Sequence, residues 1–176
     1  MTPYRQMKTF KKFLQESIID PPSDFLSEIF KNRDQVDNPK IVFEVKNAIT
    51  KGIDILQKQF PKFKIVDYFI VGSSVTYQYN DNSDIDVTVV YKDTVSSDEL
   101  AEISTWVSKI LNGQFMNLDR KSVNYYVTTS WTRNSLNNVD AAFDIKKDKW
   151  IKKPKKSIES SYYKNLIVAN SPSKQE

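Results

Sequence analysis

Two stretches, "KIVDYFIV" at 64–71 and "DIDVTVVY" at 84–91, constrain this chain most. Both are dense in β-branched and aromatic residues, which suit the pleated, half-buried surface of a strand. Between them lie twelve residues that open with Gly72, Ser73 and Ser74, in a chain holding only three glycines. Two strands joined by a polar connection make a sheet the centre of the fold. At 176 residues the chain is long enough to bury one real core.

Residues 40–59 place Ile41, Val45, Ala48, Ile49, Ile53, Leu56 and Phe60 at helical spacing, and Pro61 ends that run. A second helix is expected over 97–111, where Leu100, Ile103, Val107, Ile110 and Leu111 share a face. Ser96 with Glu99 forms a capping box at its start, and Asn112-Gly113 closes it. "SVNYYVTT" at 122–129 and "AAFDI" at 141–145 read as further strands. Short helices are expected over 8–18 and 24–31, interrupted by "DPPS" at 20–23, and a weaker one over 157–168 before a disordered tail. This order predicts an α+β (α/β sandwich) fold, with one mixed β-sheet of about four to five strands flanked by helices. The expected division is a helical arm at 1–35, a core at 36–156 and a C-terminal helix and tail at 157–176.

The chain contains no cysteine and no histidine. Disulfide scaffolds, thiolate or imidazole zinc sites, Ser-His-Asp triads and histidine acid–base chemistry are therefore excluded. Any metal must be held by oxygen ligands, which favours magnesium, manganese or calcium. No apolar run approaches the roughly 20 residues of a membrane span. The opening segment lacks a cleavable apolar core, so no signal peptide is expected and the expected compartment is a reducing cytoplasm.

Charge is concentrated. Residues 146–156, "KKDKWIKKPKK", set seven lysines against one acid, a local +6 in a chain whose total is +4. Such a run is either a solvated segment or an anion-binding strip, built on Lys152, Lys153, Lys155 and Lys156 with Trp150 available to stack.

Asp84 and Asp86 raise the sharper question. In a strand, residues i and i+2 share a face, so the two carboxylates project together while Ile85 and Val87 turn to the core. Unpaired, they would repel and raise each other's pKa, and a divalent cation is what neutralises such a pair. Upstream, Gly72 lets the backbone approach a phosphate closely, and the serines supply hydroxyls and can cap a short helix. Other motif readings fail. An EF-hand loop counted from Asn80 would need glycine at Ile85 and glutamate at Tyr91, and three scattered glycines cannot build a Walker or dinucleotide loop.

Taken together, "IVGSS" at 70–74 and "NSDIDVTVV" at 82–90 resemble the signature of the DNA polymerase beta nucleotidyltransferase superfamily. That resemblance implies that Gly72, Ser73 and Ser74 contact the triphosphate of an incoming NTP such as ATP. It implies that Asp84 and Asp86, with a third carboxylate on a neighbouring strand, hold two Mg²⁺ (or Mn²⁺) ions. Asp144, in "AAFDIKK", is the best match for that third ligand; Asp140 and Asp148 lie outside an apolar strand and match less well. The chain departs from many relatives in having "VTYQY" at 75–79 after the glycine-serine pair. The implied reaction moves a nucleoside monophosphate from an NTP to an acceptor hydroxyl, with RNA or tRNA as the expected acceptor. Two other readings stay open: an inactive fold serving in binding or virion assembly, and an enzyme that nucleotidylates a protein. "MKTFKKFLQES" at 7–17 also resembles the starts of proteins from large tailed phages, which would place the protein in an infected bacterial cytoplasm.

Overall fold

The computed structural model describes residues 25–80, 83–112, 121–131 and 133–155. Helix α1, Phe43–Gln59, leads into strand β1, Ile65–Val71. One 3-10 turn at Ser73–Val75 and a loop return the chain to β2, Ile85–Tyr91. Helix α2, Ser97–Trp106, runs on through a π-type turn at Val107–Leu111 and is followed by β3, Val123–Thr128. A short helix α3, Arg133–Asn137, then precedes the hairpin of β4, Ala142–Asp144, and β5, Lys149–Lys152.

The strands form one sheet in the order β3-β2-β1-β4-β5. Strand β2 lies antiparallel to β1 and parallel to β3, while β4 lies antiparallel to both β1 and β5. The parallel pair needs a crossover, which α2 supplies. Among the described residues, a mixed five-stranded sheet with three helices is the expected α+β, nucleotidyltransferase-like fold.

Alternation along β2 divides the sheet into two faces. Ile85, Val87 and Val89 are fully buried and join Val45, Ile49, Ile53 and Leu56 of α1 in the core. Each such side chain contributes on the order of 1.5–3 kcal/mol of hydrophobic stabilisation. Helix and sheet meet closely at Gly52, where an added Cβ would lie 2.0 Å from the Tyr125 hydroxyl oxygen. That hydroxyl donates to the Ile49 carbonyl at 3.2 Å. The expected capping box at Ser96 and Glu99 is present, and burial does not enter into it because both groups bond at the surface. At the other end Asn112 exchanges two hydrogen bonds with the Tyr125 backbone and so ties the helix terminus to β3.

Three local expectations are corrected. Residues 25–31 are not helical: Lys31 N–H donates to the Lys40 carbonyl, Val42 N–H donates to Ile29, and Phe30 bridges Ile41. Leu26, Ile29 and Phe30 are buried by this hairpin-like return instead of by a helix face. The lysine run contains a strand, β5, paired to β4. Trp150 is turned inward, where it packs on Phe143 and Phe30 at 5.0 and 5.5 Å and donates its indole N–H to the Val36 carbonyl. It is therefore not available for stacking. The helices expected over 8–18 and 157–168, and the tail, lie outside the described residues.

Candidate functional site

The sheet face opposite α1 carries the candidate site. Asp84 immediately precedes β2 and Asp86 is its second residue, so the pair shares that face. Register sets Val71 of β1 on one side of Asp86 and Asn124 of β3 on the other. Asp84 is exposed; its Oδ1 accepts from the Ser122 hydroxyl at 2.8 Å and its Oδ2 from the Asn124 amide at 3.4 Å. Asp86 is half-buried and bonded to Asn124 and Tyr126. Burial raises the pKa of Asp86, the Asn124 bond opposes that shift, and the charge of Asp84 adds to it. The Tyr126 hydroxyl is also pushed up, first by burial and then by the charges of Asp86 and Asp84. Three neutral donors, Ser122 just before β3 and Asn124 and Tyr126 on it, thus offset part of the carboxylate repulsion that the sequence poses.

Gly72 follows Val71 and is held at φ 80 and ψ −168, a conformation essentially confined to glycine. An added Cβ there would lie 2.6 Å from Asp86 Oδ2. The glycine-serine turn and the carboxylate pair are therefore one local structure. Ser73 is exposed at the start of the turn. Ser74 is buried, its carbonyl accepts from the Ser27 hydroxyl at 2.6 Å, and its own hydroxyl has no partner among the described residues. Tyr77 is in the core, and the Tyr79 hydroxyl accepts from Arg33.

Asp144 is not brought to the pair. It lies on β4 opposite Phe69, beyond β1 from Asp86. Two strand spacings across and two residues along put its Cα about 12 Å from that of Asp86. Its carboxylate is buried and engaged in turning the hairpin: Oδ1 accepts from the Lys147 backbone N–H at 3.0 Å and Oδ2 pairs with Lys147 Nζ at 3.2 Å. This Asx-type turn accounts for an aspartate with apolar neighbours. Asp148 pairs with Lys46 at 3.1 Å, and Asp140 is exposed. Ser122, Asn124 and Tyr126, which do meet the pair, were legible only as the polar alternation of "SVNYYVTT".

The lysines divide similarly. Lys152 Nζ donates to the carbonyls of Leu136 and Val139, and Lys153 pairs with Asp37. Lys155 is exposed, and Lys156 lies outside the described residues.

Residues 49–114 match the family model described as a nucleotidyltransferase domain. The match runs from within α1 through β1, the glycine-serine turn, β2 and α2, so this part of the chain is similar to a nucleotidyltransferase domain, in line with the resemblance to the polymerase beta superfamily. No curated protein and no solved structure matches the chain. Such a domain implies an NTP substrate. Among the described residues no helix is long and apolar enough to cross a membrane. The oxygen-only donor set of Asp84 and Asp86, beside a glycine cradle that a Cβ would fill, fits one hard divalent cation. Among the described residues no group of three or more acidic side chains gathers to hold a metal.

Proposed function

We propose that this chain transfers a nucleoside monophosphate from an NTP to an acceptor hydroxyl, with Asp84 and Asp86 holding a Mg²⁺ or Mn²⁺ ion. The observation that carries the reading is the 2.6 Å approach of a Gly72 Cβ to Asp86 Oδ2, which joins the phosphate cradle to the carboxylates. The acceptor oxygen bonds to the α-phosphorus, the bond from that phosphorus to the bridging oxygen breaks, pyrophosphate leaves, and the hydroxyl proton passes to solvent. A divalent cation, when bound, supplies charge neutralisation and makes the hydroxyl more acidic. The backbone at Gly72 and the Ser73 hydroxyl orient the triphosphate, and the Ser122 hydroxyl and Asn124 amide hold Asp84 in place. Ser74 acts through its buried carbonyl contact with Ser27, fixing the turn. With no histidine available, positioning and electrostatics carry the catalysis.

RNA is the acceptor class favoured by the exposed cationic face of the β5 hairpin, where Lys149 and Lys155 face solvent. Lys152 and Lys153 contribute more to holding the hairpin than to binding an anion. The test incubates the chain with each α-labelled NTP, Mg²⁺ or Mn²⁺, and separate pools of RNA and protein. Label in RNA that ribonuclease removes supports the reading. Label in protein replaces the acceptor, and no label in either pool contradicts the activity.

A further inference from the structure

We infer that Lys121 is a positioning residue for the carboxylate pair, gripping the approach to Asp84 and anchored through Glu28 to the segment that also fixes the glycine-serine turn. The inference deepens the nucleotidyl-transfer reading and rests on it. Asp84 sits inside a short circuit of bonds. Ser83, just before it, donates its backbone N–H to the Asn80 carbonyl at 2.9 Å, and its hydroxyl accepts from the Asn80 N–H at 2.9 Å. On the other side, the Ser122 hydroxyl donates to Asp84 Oδ1 at 2.8 Å, and the Ser122 carbonyl accepts from the Ile85 N–H at 2.9 Å. Lys121 precedes Ser122, and its ammonium donates to the same Asn80 carbonyl at 3.5 Å. The circuit therefore runs from Asn80 through Ser83, Asp84, Ser122 and Lys121 back to Asn80. Slack anywhere in it moves Asp84.

The ammonium is nearly buried, with 7% of its side chain exposed, and Glu28 pairs with it at 3.1 Å. A lysine is almost never taken so far out of water without a partner. Neighbouring Ser27 donates to the Ser74 carbonyl at 2.6 Å, while Arg33 donates to the Leu26 carbonyl at 2.7 Å and to the Tyr79 hydroxyl. Residues 26–33 thus hold both ends of the connection between β1 and β2: the turn after Gly72 and the approach to Asp84. Leu26, Ile29 and Phe30 seat this brace in the core, so the support is rigid. The brace precedes residues 49–114, the part similar to a nucleotidyltransferase domain. Lys121→Met keeps an unbranched stem, leaves Glu28 in water at 53% exposure, and leaves the Asn80 carbonyl bonded to Ser83. Removing a buried charge without stranding its partner should hold or raise Tm. What the variant loses is the grip on Asn80.

Mn²⁺ binding to the full chain is read from the electron paramagnetic resonance signal of the free ion, with and without α,β-methylene analogues of the four NTPs. The KM and kcat of transfer and the Tm are measured beside it. For Lys121→Met the expected result is a loss of Mn²⁺ affinity and of kcat by about tenfold to a hundredfold, the effect of a displacement approaching 1 Å. The KM for the acceptor should be unchanged and the Tm unchanged or higher. Wild-type Mn²⁺ affinity in Lys121→Met would overturn the inference and leave the transferase reading standing. A loss that disappears on cooling well below a lowered Tm would do the same, because it marks a merely structural role. Glu28→Gln, at an exposed position, weakens the anchor and should lower Mn²⁺ affinity in the same direction. Unchanged affinity there would overturn the role of the anchor even if Lys121→Met fails to fold. A wild-type chain that binds no Mn²⁺ with any analogue would overturn both readings.

Discussion

Gly72→Ala tests the joint between the turn and the carboxylates. Alanine at φ 80 and ψ −168 occupies backbone space nearly confined to glycine, a cost of about 1–3 kcal/mol. Its Cβ would also meet Asp86 Oδ2 at 2.6 Å, with Asp86 Cβ and Cγ at 3.5 Å. The carboxylate must swing away, disturbing its bonds to Asn124 and Tyr126, at roughly 1 kcal/mol for the set in so open a site. The expected loss is about 2–4 kcal/mol, a fall in Tm of roughly 5–15 °C for a chain of this size. Mn²⁺ affinity should fall with it, because the displaced group is a proposed ligand. Urea denaturation of the single variants and of Gly72→Ala/Asp86→Ala separates the two costs. In the Asp86→Ala background the steric part disappears and only the backbone part remains. An unchanged Tm for Gly72→Ala, or an equal loss in both backgrounds, would refute the reasoning.

Asp86→Asn should raise the Tm of the metal-free protein at neutral pH. Burial and Asp84 raise the pKa of Asp86 in the folded state, so its stabilising contribution is full at acid pH and lost as pH rises through the folded pKa. The advantage of the variant should therefore grow from about pH 3 to pH 7, and a difference constant with pH would contradict this. Gly52→Ala gains about 1 kcal/mol of helix propensity. Overpacking against Tyr125 costs about 1–3 kcal/mol, so the net loss should be up to about 2 kcal/mol, and a more stable variant in urea would count against that packing. Lys152→Met should cost stability because two carbonyls lose their donor. Lys155→Gln should leave Tm unchanged and flatten the salt dependence of RNA binding by about one unit of slope.

The elements that decided the fold were legible because local chemistry and tertiary context agree there. Ile85, Val87 and Val89 alternate as a half-buried strand must, and the Ser96–Glu99 box sits where α2 starts. Asp84 and Asp86 share a face for the same reason of period two. Where the reading failed, partners distant in sequence decide. Leu26, Ile29 and Phe30 are spaced as on a helix, yet they are buried by the return of Lys40 to Val42. Strand β5 is masked by lysines, which suit an exposed edge strand and read as a charge run. Asp144 has the apolar flanks of a ligand-bearing strand, but flanks do not reveal strand order, and that order puts β1 between it and Asp86. Asn124 could be identified only from the register of β3 against β2.

The central claim is that the α-phosphorus of an NTP is the atom attacked. Parallel reactions with α-labelled and γ-labelled NTP, using the acceptor pool that accepts label, distinguish the possible transfers. The expected result is that α label joins the acceptor, that γ label leaves as pyrophosphate, and that Asp86→Asn abolishes both. Transfer of γ label to the acceptor, or α-label transfer that survives Asp86→Asn undiminished, would contradict it.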